Sequence, residues 1–225
     1  MSEIKISLAA FAACMFLFSS AIAEPAKDDV DYTAMSPEEL AEYLIFEANG
    51  FKLSEETQEG KTVRDRLKQD ELQEACSALK GAPADPATAG KVSKMARESI
   101  SYPDKITLGD WKKGEELARS GFGFRVGHKV DPHSNKVPGG NCYACHELDP
   151  TEIAYGTLGP SLQGFGKIRG NTEETRKYTY EMIYNPHSYF PCTKMPRFGA
   201  NEFLTDEQIA DIMAYVLHPE SPVNK

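Results

Sequence analysis

The sequence predicts a mainly α-helical protein, and three observations predict it. Two stretches carry a helix-start signature: Ser36-Pro37-Glu38-Glu39, and Thr205 followed three residues later by Gln208. Apolar residues recur at helical spacing through Ile209, Ile212, Met213, Val216 and Leu217. Helix-stopping signals punctuate the chain at Asn49-Gly50, Gly81, Asn185-Pro186 and Pro219. A length of 225 residues suits one domain with an extension, or two small domains.

Taken in order, residues 1–23 read as an export leader. Lys5 is its short positive region, Ile6 to Ile22 is apolar apart from small and serine residues, and Ala21-Ile22-Ala23 is an A-x-A cleavage site. That run is too short and wrongly flanked for a spanning helix. A second reading takes Phe11-Ala12-Ala13-Cys14 as a lipoprotein signal, which leaves Met15-Phe16-Leu17-Phe18 at the mature start. Cleavage after Ala23 predicts a periplasmic protein with no membrane span.

Residues 24–104 are expected to form a helical extension. An acidic lead-in precedes a helix from Ser36 to Ala48. A second helix is expected within 61–80, where Val63, Leu67, Leu72, Ala75, Cys76 and Leu79 form an imperfect stripe. After the linker Ala82-Pro83-Ala84-Asp85-Pro86, a weaker helix covers 87–100. This segment is charged and poor in aromatic residues, too small to build a large core alone. It is expected to drape over another surface, of its own chain or of a partner.

Residues 105–225 are expected to form a second domain. It holds a helix from Leu108 to Arg119 with Gly114 inside, a glycine-rich basic loop over 121–140, a helix from Thr172 to Tyr184, a proline-rich loop over 186–201 and the last helix from Thr205. A glycine inside a helix costs about 1 kcal/mol relative to alanine, so a packing reason is expected for Gly114.

The chemistry of that domain centres on Asn141-Cys142-Tyr143-Ala144-Cys145-His146. Two cysteines two residues apart, with histidine directly after the second, form the attachment pattern of c-type haem. The spacing places both thiols about one turn apart, so that they reach the two vinyl groups of one porphyrin, and His146 supplies a proximal imidazole nitrogen to the iron. A zinc site needs two more Cys or His ligands at short spacing. A redox dithiol needs no histidine there and belongs in a βαβ pattern, which this chain does not show.

The formal charge is −9, from 25 basic and 34 acidic residues. An acidic chain is a poor candidate for phosphate-backbone binding, which argues against a nucleic-acid partner. Of five cysteines, the leader removes Cys14 and haem claims Cys142 and Cys145. Cys76 and Cys192 remain as a pair in an oxidising compartment. A disulfide between them would tie the second helix to the loop carrying Met195; unpaired thiols, or a bond to a partner chain, are the alternatives. Candidates for the second axial ligand are Met195 and His187, with Met182 and Met213 on helical faces and His128, His133 and His218 read as surface residues, as is His187 if it is no ligand. Lys194 and Arg197 flank Met195 and offer a basic edge that could steer an acidic partner.

From about residue 105 the chain resembles a class I cytochrome c. The helix containing Gly114, the haem motif, the Gly159-Pro160-Ser161-Leu162 turn, the Met195-Pro196 loop and a terminal helix carrying Tyr215 follow one another in that family's order. The resemblance implies that Gly114 lets the first helix cross the last one closely at Tyr215. It implies that the Pro160 carbonyl accepts the proton on the far nitrogen of His146, and that Met195 is the distal ligand. Met/His ligation raises the potential and leaves no open position on iron, which favours electron transfer over oxygen or peroxide chemistry.

A narrower resemblance is to the SoxX family, the monohaem subunits of the SoxAX cytochromes of thiosulfate oxidation. It rests on Gly139-Gly140-Asn141-Cys142, Gly156-Thr157-Leu158-Gly159-Pro160-Ser161-Leu162, and Met195-Pro196-Arg197-Phe198-Gly199 followed by Leu204-Thr205-Asp206-Glu207-Gln208-Ile209. It covers about half the chain and leaves the N-terminal extension outside the pattern. It implies one covalently bound haem c, a heterodimer with a SoxA-type haem subunit, the carrier protein SoxYZ as substrate partner and a soluble cytochrome as electron acceptor. The thiosulfotransferase chemistry on sulfur would lie in the partner. A free-standing electron shuttle and a haem-based ligand binder are the alternatives.

Overall fold

The computed structural model describes residues 30–124 and 136–225. The leader, with Cys14, and the two histidines His128 and His133 lie outside the described residues. The described residues form helices and turns, with no strand longer than the single bridge between Glu56 and Thr62. The chain divides into a unit ending at Glu42 and a unit of residues 43–225. In the first, α1 (Pro37–Glu42) starts on the expected capping box: the Glu39 amide donates to Ser36 Oγ at 3.2 Å and the Ser36 amide to Glu39 Oε2 at 2.8 Å.

The second unit opens with a π turn, Tyr43–Glu47. The helix expected within 61–80 is two helices, α2 (Val63–Leu67) and α3 (Glu71–Ser77). The break has a local cause. Lys68 is extended, and Asp70 turns its carboxylate back to accept the Gln73 amide, so it starts a new helix instead of continuing the old one. The imperfect stripe is the trace of that break. α4 (Pro86–Glu98) begins on Asp85, which accepts the amides of Ala87 and Thr88. Leu72, Val92 and Ala96 are buried together, with Cys76 and Cys192 packed against them.

α5 (Trp111–Arg119) and α8 (Asp206–Leu217) cross at the centre of the haem-motif half. The crossing requires Gly114. A Cβ there would lie 2.0 Å from the Asp211 carbonyl oxygen and 2.9 Å from Tyr215 Cβ. Asp211 is buried at the same crossing and accepts the Asp110 amide at 2.7 Å. α8 has the expected capping box, in which the Gln208 amide donates to Thr205 Oγ1 and the Thr205 amide to the Gln208 side chain.

α6 (Phe165–Arg169) and α7 (Glu173–Tyr184) complete the set. α7 contributes Tyr180 and Ile183 to a core shared with Leu117, Ile209, Ile212 and Met213. Its Glu181 is buried yet stays well supplied with donors. Burial works against its charge, but Lys177 and the hydroxyls of Tyr102 and Tyr189 hold the carboxyl below its ordinary range. α4 is tied to the segment after α7: Ser93 Oγ donates to the His187 carbonyl at 3.3 Å, Arg97 to the Ser188 carbonyl at 3.2 Å, and Asn185 Nδ2 to Ser99 Oγ at 2.9 Å. Residues 43–104 therefore pack in one unit with the haem-motif half.

Candidate haem site

The attachment motif is held from upstream by α5. The amides of Gly140 and Asn141 donate to the carbonyls of Leu117 and Ser120 at 2.9 and 3.0 Å. Asn141 is left-handed, with φ 46°, and turns the chain into a 3-10 turn over Cys142–Ala144. The amides of Cys145 and His146 both donate to the Cys142 carbonyl, at 3.1 and 2.9 Å. One tight turn thus sets the two thiols and the imidazole in sequence. Tyr143, between the thiols, points inward. Its hydroxyl pairs with that of Tyr215 at 2.7 Å and accepts the Asp149 amide at 3.3 Å, while the Arg119 guanidinium lies 4.7 Å from its ring centre. The motif is thereby bolted to α8. The attachment pattern reads only the cysteines and the histidine, so nothing in it singled out Tyr143.

The Gly156 to Leu162 turn lies alongside. The amides of Gly156, Gly159 and Leu162 donate to the carbonyls of Tyr143, Cys145 and Glu147, each at 2.8 Å. These three bonds carry the Pro160 carbonyl to His146 Nδ1, 2.7 Å away. The ring nitrogen left over, Nε2, is the one able to ligate a metal. Gly159 lies against the ring itself: a Cβ there would meet His146 Cε1 at 2.2 Å and Nδ1 at 2.5 Å. The imidazole is gripped between a carbonyl and a bare backbone, which fixes its tautomer and orientation.

The Met195 loop approaches the same region. A Cβ on Gly140 would lie 3.3 Å from Cys142 Sγ and 3.6 Å from Phe198 Cζ, so Cys142 and Phe198, three residues past Met195, both flank Gly140. Met195 itself is half-buried against the main core. Met213 is fully buried and Met182 half-buried. Cys76 and Cys192 are joined by a disulfide, 116 residues apart in sequence.

Two sequence-based readings are corrected here. His187 is no surface residue: it is 7% exposed, and its Nδ1 accepts the Cys192 amide at 2.9 Å. Burial and the nearby Arg197 charge lower its pKa to about 4, against a smaller pull from Asp70. A neutral ring used as an acceptor in the loop is a structural role. Arg197 offers no basic edge either. It is 8% exposed, donating to Asp70 Oδ2 at 2.7 Å and to Gln73 Oε1 at 3.4 Å. A charged residue is usually solvated, and its partner lies over a hundred residues upstream, so sequence spacing carried no signal for the pair.

The residues present fit a covalently held haem. Two thiols one tight turn apart suit two thioethers, and the adjacent imidazole has one nitrogen fixed by a carbonyl and one free for iron. Desolvation pushes the Cys142 thiol up to about 12. Among the described residues no group of three or more His, Cys, Asp or Glu side chains forms a cluster able to hold a metal ion.

A cytochrome c fold with a c-type haem attachment turn defines the class of protein. The family model for cytochrome c matches residues 135–219. The chain is also 44% identical over 158 residues to an "Uncharacterized lipoprotein" of Aquifex aeolicus, a match covering 70% of this chain and 73% of that protein. It belongs to the same family as that protein and carries a cytochrome c domain, which binds haem c covalently and serves electron transfer.

Proposed function

We propose that this chain is the monohaem electron-transfer subunit of a SoxAX-type complex. Haem c supplies a one-electron iron couple when bound. Cys142 and Cys145 would hold it covalently, and His146 through Nε2 and Met195 through its thioether would supply the iron's protein ligands. The observation that carries the electron-transfer reading is the 2.7 Å contact of His146 Nδ1 with the Pro160 carbonyl. That contact fixes the ring's orientation and would make it a stronger donor to a bound iron. A neutral Met195 thioether as ligand would favour the ferrous state and suit electron transfer.

The Sox reading adds the partners. Its support is the joint resemblance of the attachment, Gly-Pro and Met-Pro segments. In the reaction, a carrier cysteine thiol and thiosulfate join through a new S–S bond, releasing one proton and two electrons. A SoxA-type subunit would perform that step on SoxYZ. This chain would take the electrons singly through its one haem and pass them to a soluble cytochrome. It would do no sulfur chemistry itself.

Purification from the native host, with haem counted per chain, tests this reading. Recovery as a stable heterodimer with a second haem protein, and thiosulfate-dependent reduction in the presence of the carrier, are expected. A monomer that is never reduced by that mixture contradicts the Sox reading and leaves a free electron shuttle.

Export is part of the proposal, with cleavage after Ala23. The relative's name gives specific support to a second reading, acylation of Cys14. The mass of the mature N-terminal peptide separates them: Glu24 first without lipid, or Cys14 first with acyl chains. Among the described residues no helix is long and apolar enough to cross a membrane.

A further inference from the structure

The Met195 loop is pinned at both ends by one short helix. α3 and its cap present positions 70, 73 and 76, at helical spacing, toward the same loop. Asp70 and Gln73 receive the two guanidinium nitrogens of Arg197, and Cys76 is bonded to Cys192. Cys192 comes three residues before Met195 and Arg197 two residues after it. Between those anchors the loop holds itself weakly, through the Thr193 amide to the Phe190 carbonyl at 3.1 Å and the Met195 amide to Thr193 Oγ1 at 3.4 Å. Cys192 has a left-handed backbone, φ 58°, which a residue with a Cβ keeps only under outside constraint. The disulfide and the His187 acceptor supply that constraint.

We propose that Asp70 is a positioning residue for the iron's distal sulfur. By pairing with Arg197, and together with the Cys76–Cys192 bridge, it holds the loop on both sides of Met195 and so sets how readily the thioether leaves the metal. The inference rests on Met195 being the distal ligand. Charge explains why one surface carboxylate has such reach. Arg197 is almost fully buried while Asp70 is half exposed. Removing Asp70's charge strands a buried cation, and the structure relieves this by letting the Arg197 end of the loop move out to water. An ion pair between two exposed groups has no comparable effect.

The choice of variant follows from the other oxygen of Asp70. Oδ1 caps α3 by accepting the Gln73 amide at 2.8 Å. Asparagine caps a helix as well as aspartate does, so Asp70→Asn keeps α3 and removes only the charge. The probe is the weak near-infrared sulfur-to-iron band of the ferric haem-loaded full chain, followed by titration to alkaline pH. Asp70→Asn is expected to show the band at neutral pH but to lose it about one pH unit earlier than the unaltered protein, a roughly tenfold weaker hold on the sulfur. Gln73→Ala is expected to shift it in the same direction by less, and serves if Asp70→Asn does not fold. Glu202→Gln, which cuts the exposed Lys61–Glu202 pair at 2.6 Å, is expected to titrate like the unaltered chain.

Coincident titrations of Asp70→Asn, Gln73→Ala and the unaltered chain overturn the proposal while leaving Met195 as ligand. A band missing from the unaltered chain, or surviving in Met195→Ala, removes the ligand reading and this inference with it.

Discussion

At the scale of single residues, His146 and His187 show how environment assigns two histidines opposite tasks. His146 has a carbonyl on Nδ1 and a bare glycine against its ring, leaving Nε2 as the nitrogen able to ligate a metal. Gly159→Ala puts a methyl group into that ring. Overpacking of this kind costs about 1–3 kcal/mol, and the expected outcome is a lower thermal midpoint with a perturbed haem absorption spectrum; an unchanged spectrum would show that the ring is not gripped. His187 instead lends Nδ1 to the Cys192 amide and stays neutral. Its pKa falls from the usual 6.5 to about 4 on folding. The unfolded chain therefore takes up the proton first as pH drops. The stability this group contributes is full above pH 6.5 and drains away between about 6.5 and 4, on the order of 3 kcal/mol. Thermal midpoints across that window should fall less steeply for His187→Gln than for the unaltered chain; parallel curves would rule the effect out. The attachment motif stands out in the sequence because its pattern is written in adjacent positions, Cys142 to His146. His187 and Arg197 do not, because burial and a partner over a hundred residues away decide their roles.

At the scale of elements, helices whose caps and stripes agree were legible, and helices shaped by tertiary demands were not. α8 carries both a capping box and an apolar stripe, so its bounds followed from Thr205 and Pro219. α6 is five residues between left-handed Gly164 and the positive-φ Gly170, too short to show a period. Asp70 lies inside the range expected to hold one helix, 61–80, yet it caps the start of a new one, α3. The α5–α8 crossing depends on Gly114 in the same local sense. Gly114→Ala would drive a methyl group into the Asp211 backbone. Expected destabilisation is about 2–3 kcal/mol in denaturant titration; a loss under half a kcal/mol would mean that the crossing relaxes freely. The disulfide joins α3 to the Met195 loop across 116 residues. In the chain-entropy account a loop that long gives about 4–5 kcal/mol, with strain and residual structure reducing it. Cys76→Ser with Cys192→Ser should lower unfolding free energy by about 2–4 kcal/mol, and no change would show the bridge to be dispensable.

At the scale of the molecule, residues 43–104 share a unit with the cytochrome c domain and meet it where Met195 lies. A brace at that position suits a centre whose task is to hold one potential and one ligand set. The class I fold was visible in the order of motifs along the chain, because that order is covalent. The closeness of α3 to the Met195 loop was legible only through the two cysteines left over for a bridge, Cys76 and Cys192; the Asp70–Arg197 ion pair was not, because it joins segments over a hundred residues apart.

The account depends on porphyrin bonded to Cys142 and Cys145. The most direct measurement is haem-dependent peroxidase staining after denaturing electrophoresis, followed by peptide mass mapping, on the chain matured in a host with cytochrome c assembly machinery. The predicted result is stain on this polypeptide and the mass of one haem on the peptide spanning Cys142 to His146. A chain that loses all porphyrin on denaturation, or carries it on another peptide, would contradict the account.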